Sequence, residues 1–343
     1  MRIAVIGYGY WGPKVVRCLS RLLGPERVAV CETHAARAEA ARQDHPGLAV
    51  LRNWYEVLAD PSIDAVYLCT PASAHYPMAL DALAADKHLL IEKPMTTVLS
   101  QAVELFDQAA HRGLALMAGH VFRYSEPLRS LREVIEAGDL GEPRYVYSTR
   151  TSLGPRVREE VSVVWDYLVH DAYLLPYLLG QPPHEVSAYG GSYLLRPNPD
   201  VVFARLGFEG GLFAACQASW YDPQKVRRLC VVGSERMAVC EDGRLTLFDS
   251  GYAPHEGYDS FGNHNLRLYE SDGRLVATEG EEPLAAQARA FLEAAAAGRA
   301  PAGHAEEVLA SLAILEAVDR SLQEGGKNVG VRYPQREHTL ARP

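Results

Sequence analysis

Arg2-Ile3-Ala4-Val5-Ile6-Gly7-Tyr8-Gly9-Tyr10-Trp11-Gly12 is the stretch from which the rest of the chain can be read. Its first five residues form an apolar run of strand character. The residues after it, Pro13 to Leu23, place Val15, Val16, Leu19, Leu22 and Leu23 at helical spacing, and proline is tolerated in a first helical turn. A glycine loop alone is a weak signal. Between a strand and a helix it is a dinucleotide-binding fingerprint. Gly7 permits the tight turn, Gly9 the close approach of a pyrophosphate and Gly12 the helix–strand contact. Tyr10 and Trp11 belong to the same loop, and the phosphates would rest on the amides of the helix N-terminus.

The second strand, Val28–Cys31, ends in Glu32, 20 positions past Gly12. An acidic side chain there accepts hydrogen bonds from an adenine-ribose diol and repels a 2′-phosphate, so NAD is expected rather than NADP. Arg37, on an alanine-rich helix, reads as a solvated residue. The alternation continues with the strand Ala65–Cys69, the loop Thr70-Pro71-Ala72-Ser73-Ala74-His75, the helix 78–85 and the strand Lys87–Ile91. The helix Leu99–Arg112 and the strand Leu114–Ala118 follow. Strand and helix in this order predict a parallel, doubly wound α/β sheet of the Rossmann type. Ligands of such sheets bind at the carboxyl ends of the strands. Three loops converge there: Gly7–Gly12, Thr70–His75 and Glu92-Lys93-Pro94. A lysine at that edge can hold a hydroxyl oxygen and stabilise the charge that grows as its proton leaves.

The chain has 343 residues, long for one core, and is expected to form two domains, 1–120 and 121–343. A formal net charge of −9 argues against a nucleic-acid surface or an anionic membrane as partner. No apolar run approaches the length of a span, and the first strand starts at once, so the chain reads as cytoplasmic. The six cysteines (18, 31, 69, 216, 230 and 240) are scattered singly, which indicates neither a metal site nor a disulfide framework.

In the second half, Pro127–Ala137 has the apolar spacing of a helix stopped by Gly138, and Glu142–Arg150 alternates as a long strand. A polar loop, Pro155–Ser162, leads to Val163-Val164-Trp165 and a helix from Asp166 to Leu179, closed by Gly180. Asp166 and His170 stand at i and i+4, on one helical face. Asp171 reads as a solvent or loop contact, and Trp165 as either core or a stacking residue. From Glu185 to Val239 strand candidates follow one another through Gly- and Pro-containing turns, so this half is α+β with a large, mostly antiparallel open sheet. Its uncovered face, expected to expose Val202, Phe203 and Phe213, suggests a homodimer or homotetramer. Ser250–Asn265 lacks periodicity and reads as a loop, Leu284–Ala297 and Ala305–Glu324 as helices, and Tyr333–Pro343 as a frayed tail.

Taken together, Gly7–Gly12, Thr70-Pro71 with His75, Glu92-Lys93-Pro94 and Asp166-x-x-x-His170 resemble the glucose–fructose oxidoreductase / inositol dehydrogenase family of Rossmann-type sugar dehydrogenases. A finer similarity is to bacterial UDP-N-acetylglucosamine and UDP-N-acetylglucosaminuronate 3-dehydrogenases, through Gly9–Pro13, Leu153-Gly154, Trp165-Asp166 and His170-Asp171. The chain departs from that group at Thr151-Ser152 and at Tyr167-Leu168-Val169. The resemblance implies that NAD is held by Gly7, Gly9, Tyr10, Trp11, Gly12, Glu32, Thr70, Pro71, His75, Glu92 and Lys93. It implies a small-molecule sugar substrate, a homo-oligomeric protein and no metal. Lys93, His170 and Asp166 would then be catalytic, meeting in the cleft between domains to oxidise a secondary hydroxyl, C3 of a nucleotide-linked hexose. The rival substrates are a free sugar or cyclitol and a deoxysugar 3-ketone reduced instead. A non-catalytic NAD-binding regulator is the rival outside enzymology.

Overall fold

The computed structural model of the chain describes residues 1–153, 160–194, 197–249, 252–258, 264–268 and 272–334, with 252–258 and 264–268 described by backbone alone. Gly154, most of the polar loop before Ser162 and the last residues of the tail lie outside the described residues. The chain divides into two compact units. One comprises Met1–Tyr124, Glu281–Glu316 and Arg332–Pro343, the other Ser125–Gly280 and Ala317–Val331. The two late helices explain why this division is not the single cut expected after residue 120. Buried Leu284, Ala288, Phe291, Ala294 and Ala295, spaced along α8 (Pro283–Ala296), pack into the core of the first unit.

In the first unit β1 (Ile3–Ile6), α1 (Gly12–Leu23), β2 (Val28–Cys31), α2 (Ala35–Asp44) and β3 (Ala49–Leu51) lead through α3 (Trp54–Ala59) to β4 (Ala65–Leu68). Then come α4 (Ala72–Ala84), β5 (His88–Ile91), α5 (Leu99–His111) and β6 (Leu116–Ala118). The six strands pair in the order β3-β2-β1-β4-β5-β6, all parallel. Strands 1, 2 and 4 are buried throughout, as expected of short apolar runs covered on both faces. The order reverses between β1 and β4, the switch point at which a crevice opens beyond the strand ends.

The second unit starts with α6 (Glu126–Glu136) and β7 (Pro143–Thr151). Next come α7 (Val169–Leu179), β8 (Glu185–Gly191), β9 (Val201–Gly207) and β10 (Phe213–Ser219). β11 (Val226–Gly233), β12 (Arg236–Glu241), β13 (Arg244–Asp249), β14 (Tyr252–Tyr258), β15 (His264–Leu268) and β16 (Arg274–Val276) complete the run of strands. α9 (His304–Gln323) crosses from the first group of residues to the second, and β17 (Val329–Gly330) closes the sheet edge. Nine strands pair in the order β16-β13-β12-β11-β7-β10-β9-β8-β17, with β7 and β10 the parallel pair and the other neighbours antiparallel.

Three expectations are corrected here. Much of the Ser250–Asn265 stretch is not loop but the ribbon β14–β15, whose register shifts between Pro254 and Tyr258 and so hides the period-two pattern. Val202 is fully buried while Phe203 is 53% exposed, because successive strand residues face opposite sides. The helix expected from Asp166 starts instead as a π-helical turn, Val164–Leu168, with the Val169 amide bonded back to the Val164 carbonyl, and becomes α7 only at Val169.

Candidate active site

In the first unit the glycine loop has the form a dinucleotide requires. A Cβ on Gly12 would lie 2.1 Å from the Gly7 carbonyl oxygen, so only glycine allows the helix to start there. A Cβ on Gly9 would meet nothing within 4 Å, which leaves that stretch of backbone approachable. α1 begins without a side-chain cap; Pro13 has no amide hydrogen, and the Lys14 and Val15 amides donate to the Trp11 carbonyl at 3.0 and 3.2 Å. The buried Thr70 hydroxyl, at the carboxyl end of β4, has no partner among the described residues. These features fit NAD, which supplies a hydride acceptor when bound.

Glu32 is buried and already engaged by the backbone. Its Oε2 accepts from the Tyr8 amide at 2.7 Å and its Oε1 from the His34 amide at 2.8 Å. The carboxylate therefore joins the tip of β2 to the glycine loop, and the exposed Arg37 approaches it only to 4.0 Å. His75 is likewise a tie rather than a free ligand. Its Nδ1 lies 2.9 Å from the Pro94 carbonyl oxygen and its Nε2 2.9 Å from that of Thr70. A neutral imidazole donates to one of these carbonyls and an imidazolium to both. Either way the ring stitches the loop after β4 to the loop after β5. Pro71 stands at the N-cap of α4 beside it.

Glu92 sits at the carboxyl end of β5, half-buried. The Tyr67 hydroxyl donates to its Oε1 at 2.6 Å and the Lys93 amide to its Oε2 at 3.3 Å. Burial raises the Glu92 carboxyl above the usual range, opposed by the Tyr67 hydrogen bond and the Lys93 charge. Tyr67 is itself pushed well above its ordinary value, by burial first and by the Glu92 charge second. Its one proton is spent on Glu92, so the third member must donate. Gln287 of α8 does so when its Oε1 accepts from the His120 and Val121 amides (3.2 and 3.3 Å) and its Nε2 faces the Tyr67 hydroxyl 3.3 Å away. The chain Gln287–Tyr67–Glu92 thus fixes the residue next to Lys93 from a helix more than 150 residues away in sequence (287 against 92). Burial also pushes His304 down to about 3, with Arg123 adding to the effect, and its Nε2 accepts from the Ala118 amide at 2.9 Å.

In the second unit Val146, Ser148 and Arg150 lie on the covered face of β7. Asp171 of α7, fully buried, takes both polar ones on a single oxygen: Ser148 Oγ at 2.8 Å and Arg150 Nε at 2.9 Å. Asp171 is therefore an internal anchor, not the solvent contact its neighbours in sequence suggested. It pins the first turn of α7 immediately after His170. Asp166 is buried within the π turn and His170 is half-buried at the start of α7, so the plain α-helical i, i+4 spacing is widened between them. Single π turns recur at functional sites. Trp165 belongs to the core, its Nε1 donating to Asp319 Oδ2 at 2.7 Å. Tyr167 pairs its hydroxyl with Ser152 Oγ at 2.7 Å.

Tyr67, Gln287, Ser148, Arg150 and the anchoring role of Asp171 were not read from sequence. A signal existed for three of them. Ser148 and Arg150 share the parity of apolar Val146, and Gln287 falls on the apolar stripe of α8, so each needed a buried partner. Among the described residues no group of His, Cys, Asp and Glu could hold a metal ion, and no helix is long and apolar enough to cross a membrane.

A parallel sheet with a glycine-loop crevice, followed by a largely antiparallel sheet, defines a two-part dinucleotide-dependent oxidoreductase. The sequence agrees. Residues 1–120 match the oxidoreductase family with NAD-binding Rossmann fold (GFO_IDH_MocA) and residues 128–239 match that family's C-terminal domain. The chain belongs to this family, and its cofactor is NAD. It is 28% identical over 304 residues to UDP-N-acetylglucosamine 3-dehydrogenase of Acidithiobacillus ferrooxidans, covering 87% of this chain and 90% of that enzyme. The solved structure of the Acidithiobacillus ferrooxidans enzyme superposes with a TM-score of 0.78 at 26% identity, over 94% of this chain and 98% of that one. Inositol 2-dehydrogenase of Mycolicibacterium smegmatis is 31% identical over 203 residues, 58% of this chain and 57% of that enzyme.

Proposed function

We propose that the protein oxidises a secondary hydroxyl, C3, of a nucleotide-linked hexose of the UDP-N-acetylglucosamine type, passing the hydride to NAD. The observation that carries the reading is Lys93. It follows β5 at the carboxyl edge of an NAD-binding sheet, and its neighbour Glu92 is locked by Tyr67 and Gln287. An ammonium at that edge can bind the substrate oxygen and stabilise it as an alkoxide. His170 takes the hydroxyl proton on its imidazole. Asp166 orients the substrate or assists that proton's exit. Both act on the oxygen that Lys93 holds. Glu32 selects NAD by discouraging a 2′-phosphate. The match to the 3-dehydrogenase spans most of both chains, which supports a sugar alcohol as substrate.

We also place the protein in the cytoplasm as a homo-oligomer. The open face of the second sheet presents Tyr145, Phe203 and Phe213, with the rings of Tyr145 and Phe213 stacked at 5.9 Å. A second copy is the occupant this reading assigns to that face.

The test follows the absorbance of NADH. UDP-N-acetylglucosamine and its uronate should reduce NAD, myo-inositol should do so poorly, and Lys93→Met should abolish the signal with each. Reduction by myo-inositol alone would replace the substrate with a cyclitol. Undiminished turnover in Lys93→Met would remove the mechanism.

A further inference from the structure

We infer that Arg227 forms an anion subsite for the substrate, so that the second unit recognises a molecule carrying a phosphate or carboxylate. The inference rests on reading Asp166 and His170 as the substrate-side pair. Arg227 lies on β11 directly opposite Arg150 of β7. Residues opposite one another in an antiparallel pair project to the same face, so both arginines point to the side of the sheet that α7 covers. The next residue, Arg228, faces the other way and is neutralised there by Glu241 at 2.9 Å.

The two arginines of the covered face are treated differently. Arg150 is matched by Asp171 at 2.9 Å. Arg227 makes no ion pair among the described residues, and its Nη1 is shut off from solvent without an acceptor. Like charges set opposite each other on a ladder repel, and a sheltered guanidinium without an anion is costly. Asp171 therefore answers Arg150, while Arg227 has no carboxylate partner among the described residues. An anion that arrives with a ligand supplies the compensation.

The surroundings place that charge beside the catalytic pair. The Arg227 guanidinium stacks over the Tyr167 ring, 5.3 Å from its centroid. Tyr167 immediately follows Asp166 on the π turn and stands three residues before His170. Its ring is held from two sides, by the edge of Trp220 at 6.3 Å and by the Ser152 hydroxyl at 2.7 Å. Stacked in this way, the planar fork is pre-oriented, and only part of the residue is covered, so its remaining edge can meet a bidentate acceptor. A neutral cyclitol would leave this cation unanswered, whereas a nucleotide-linked or acidic sugar would not.

Titration calorimetry on the full chain with NAD present separates the sources of the anion. The probes are UDP-N-acetylglucosamine (diphosphate only), D-glucuronate (carboxylate only) and myo-inositol (neither). At least one charged probe should bind the wild type, and Arg227→Gln should weaken it by roughly 10–10²-fold while NAD and myo-inositol are unaffected. The probe that loses affinity identifies which anion the residue meets. Arg227→Lys keeps the charge but not the stacked fork and should fall between the two, which preserves the comparison if the glutamine variant fails to fold. Failure of both charged probes to bind the wild type, or equal binding to wild type and both variants, would overturn the subsite. Oxidation of any probe by NAD, read in the same samples, reports on the dehydrogenase reading separately. Arg227-dependent binding without NAD reduction keeps the subsite and removes the dehydrogenase. NAD reduction with unchanged affinity in Arg227→Gln does the reverse.

Discussion

Glu92 of the first unit and Asp171 of the second are carboxylates held in opposite ways. Glu92, in the first unit, is held by groups that are neutral or belong to the backbone: the Tyr67 hydroxyl, the Lys93 amide and, through Tyr67, the Gln287 amide. Asp171, in the second, is tied to a buried guanidinium and a hydroxyl. A charge kept by dipoles loses one hydrogen bond when a neighbour is removed. A charge kept by an opposite charge leaves that partner stranded. The first arrangement keeps a carboxylate in place beside Lys93 through hydrogen bonds from a hydroxyl and a backbone amide. The second cancels its arginine and thereby stiffens the turn that carries His170.

The comparison can be broken by substitution on either side. Asp171→Ala should be the more damaging, because it strands Arg150 inside the protein. Removing one member of a buried pair costs about 3–5 kcal/mol, to be read as a loss in denaturant unfolding free energy. A loss under about 1 kcal/mol would mean that water or another acceptor already serves Arg150. Tyr67→Phe removes one neutral donor and should cost only about 1–2 kcal/mol of stability. Its mark should be kinetic: a lowered kcat with NAD affinity kept, because Glu92 loses the bond that fixes it beside Lys93. If kcat were unchanged, the Gln287–Tyr67–Glu92 chain would be packing and nothing more.

Much of this was legible in the chain itself, for physical reasons that differ by region. Short apolar strands buried on both faces, a glycine loop between strand and helix, and an acidic residue after the second strand are local signals, and the first sheet follows from them. The nine-stranded sheet was legible as a run of strands, but not the ribbon 252–268, whose irregular register removes the alternation that marks a strand. What stayed hidden were the long-range partners. Asp171 looked exposed because a helix surface was assumed around it, whereas β7 supplies Ser148 and Arg150. His75 was assigned to the cofactor through the family resemblance, and that both its ring nitrogens meet carbonyls of neighbouring loops carried no mark in the sequence. The π turn at 164–168 carries no periodic mark in five residues.

We propose that Lys93 and His170, 77 positions apart in sequence (170 − 93), serve one substrate oxygen. A double-mutant cycle on turnover tests it most directly. Lys93→Met and His170→Ala should each lower kcat by on the order of 10²–10⁴-fold, the usual worth of a positioned acid–base group. The double mutant should lose far less than the product of the two, since groups acting as a unit are not additive. Fully multiplicative losses, or a His170→Ala enzyme that keeps most of its turnover, would contradict the account and move the proton acceptor elsewhere.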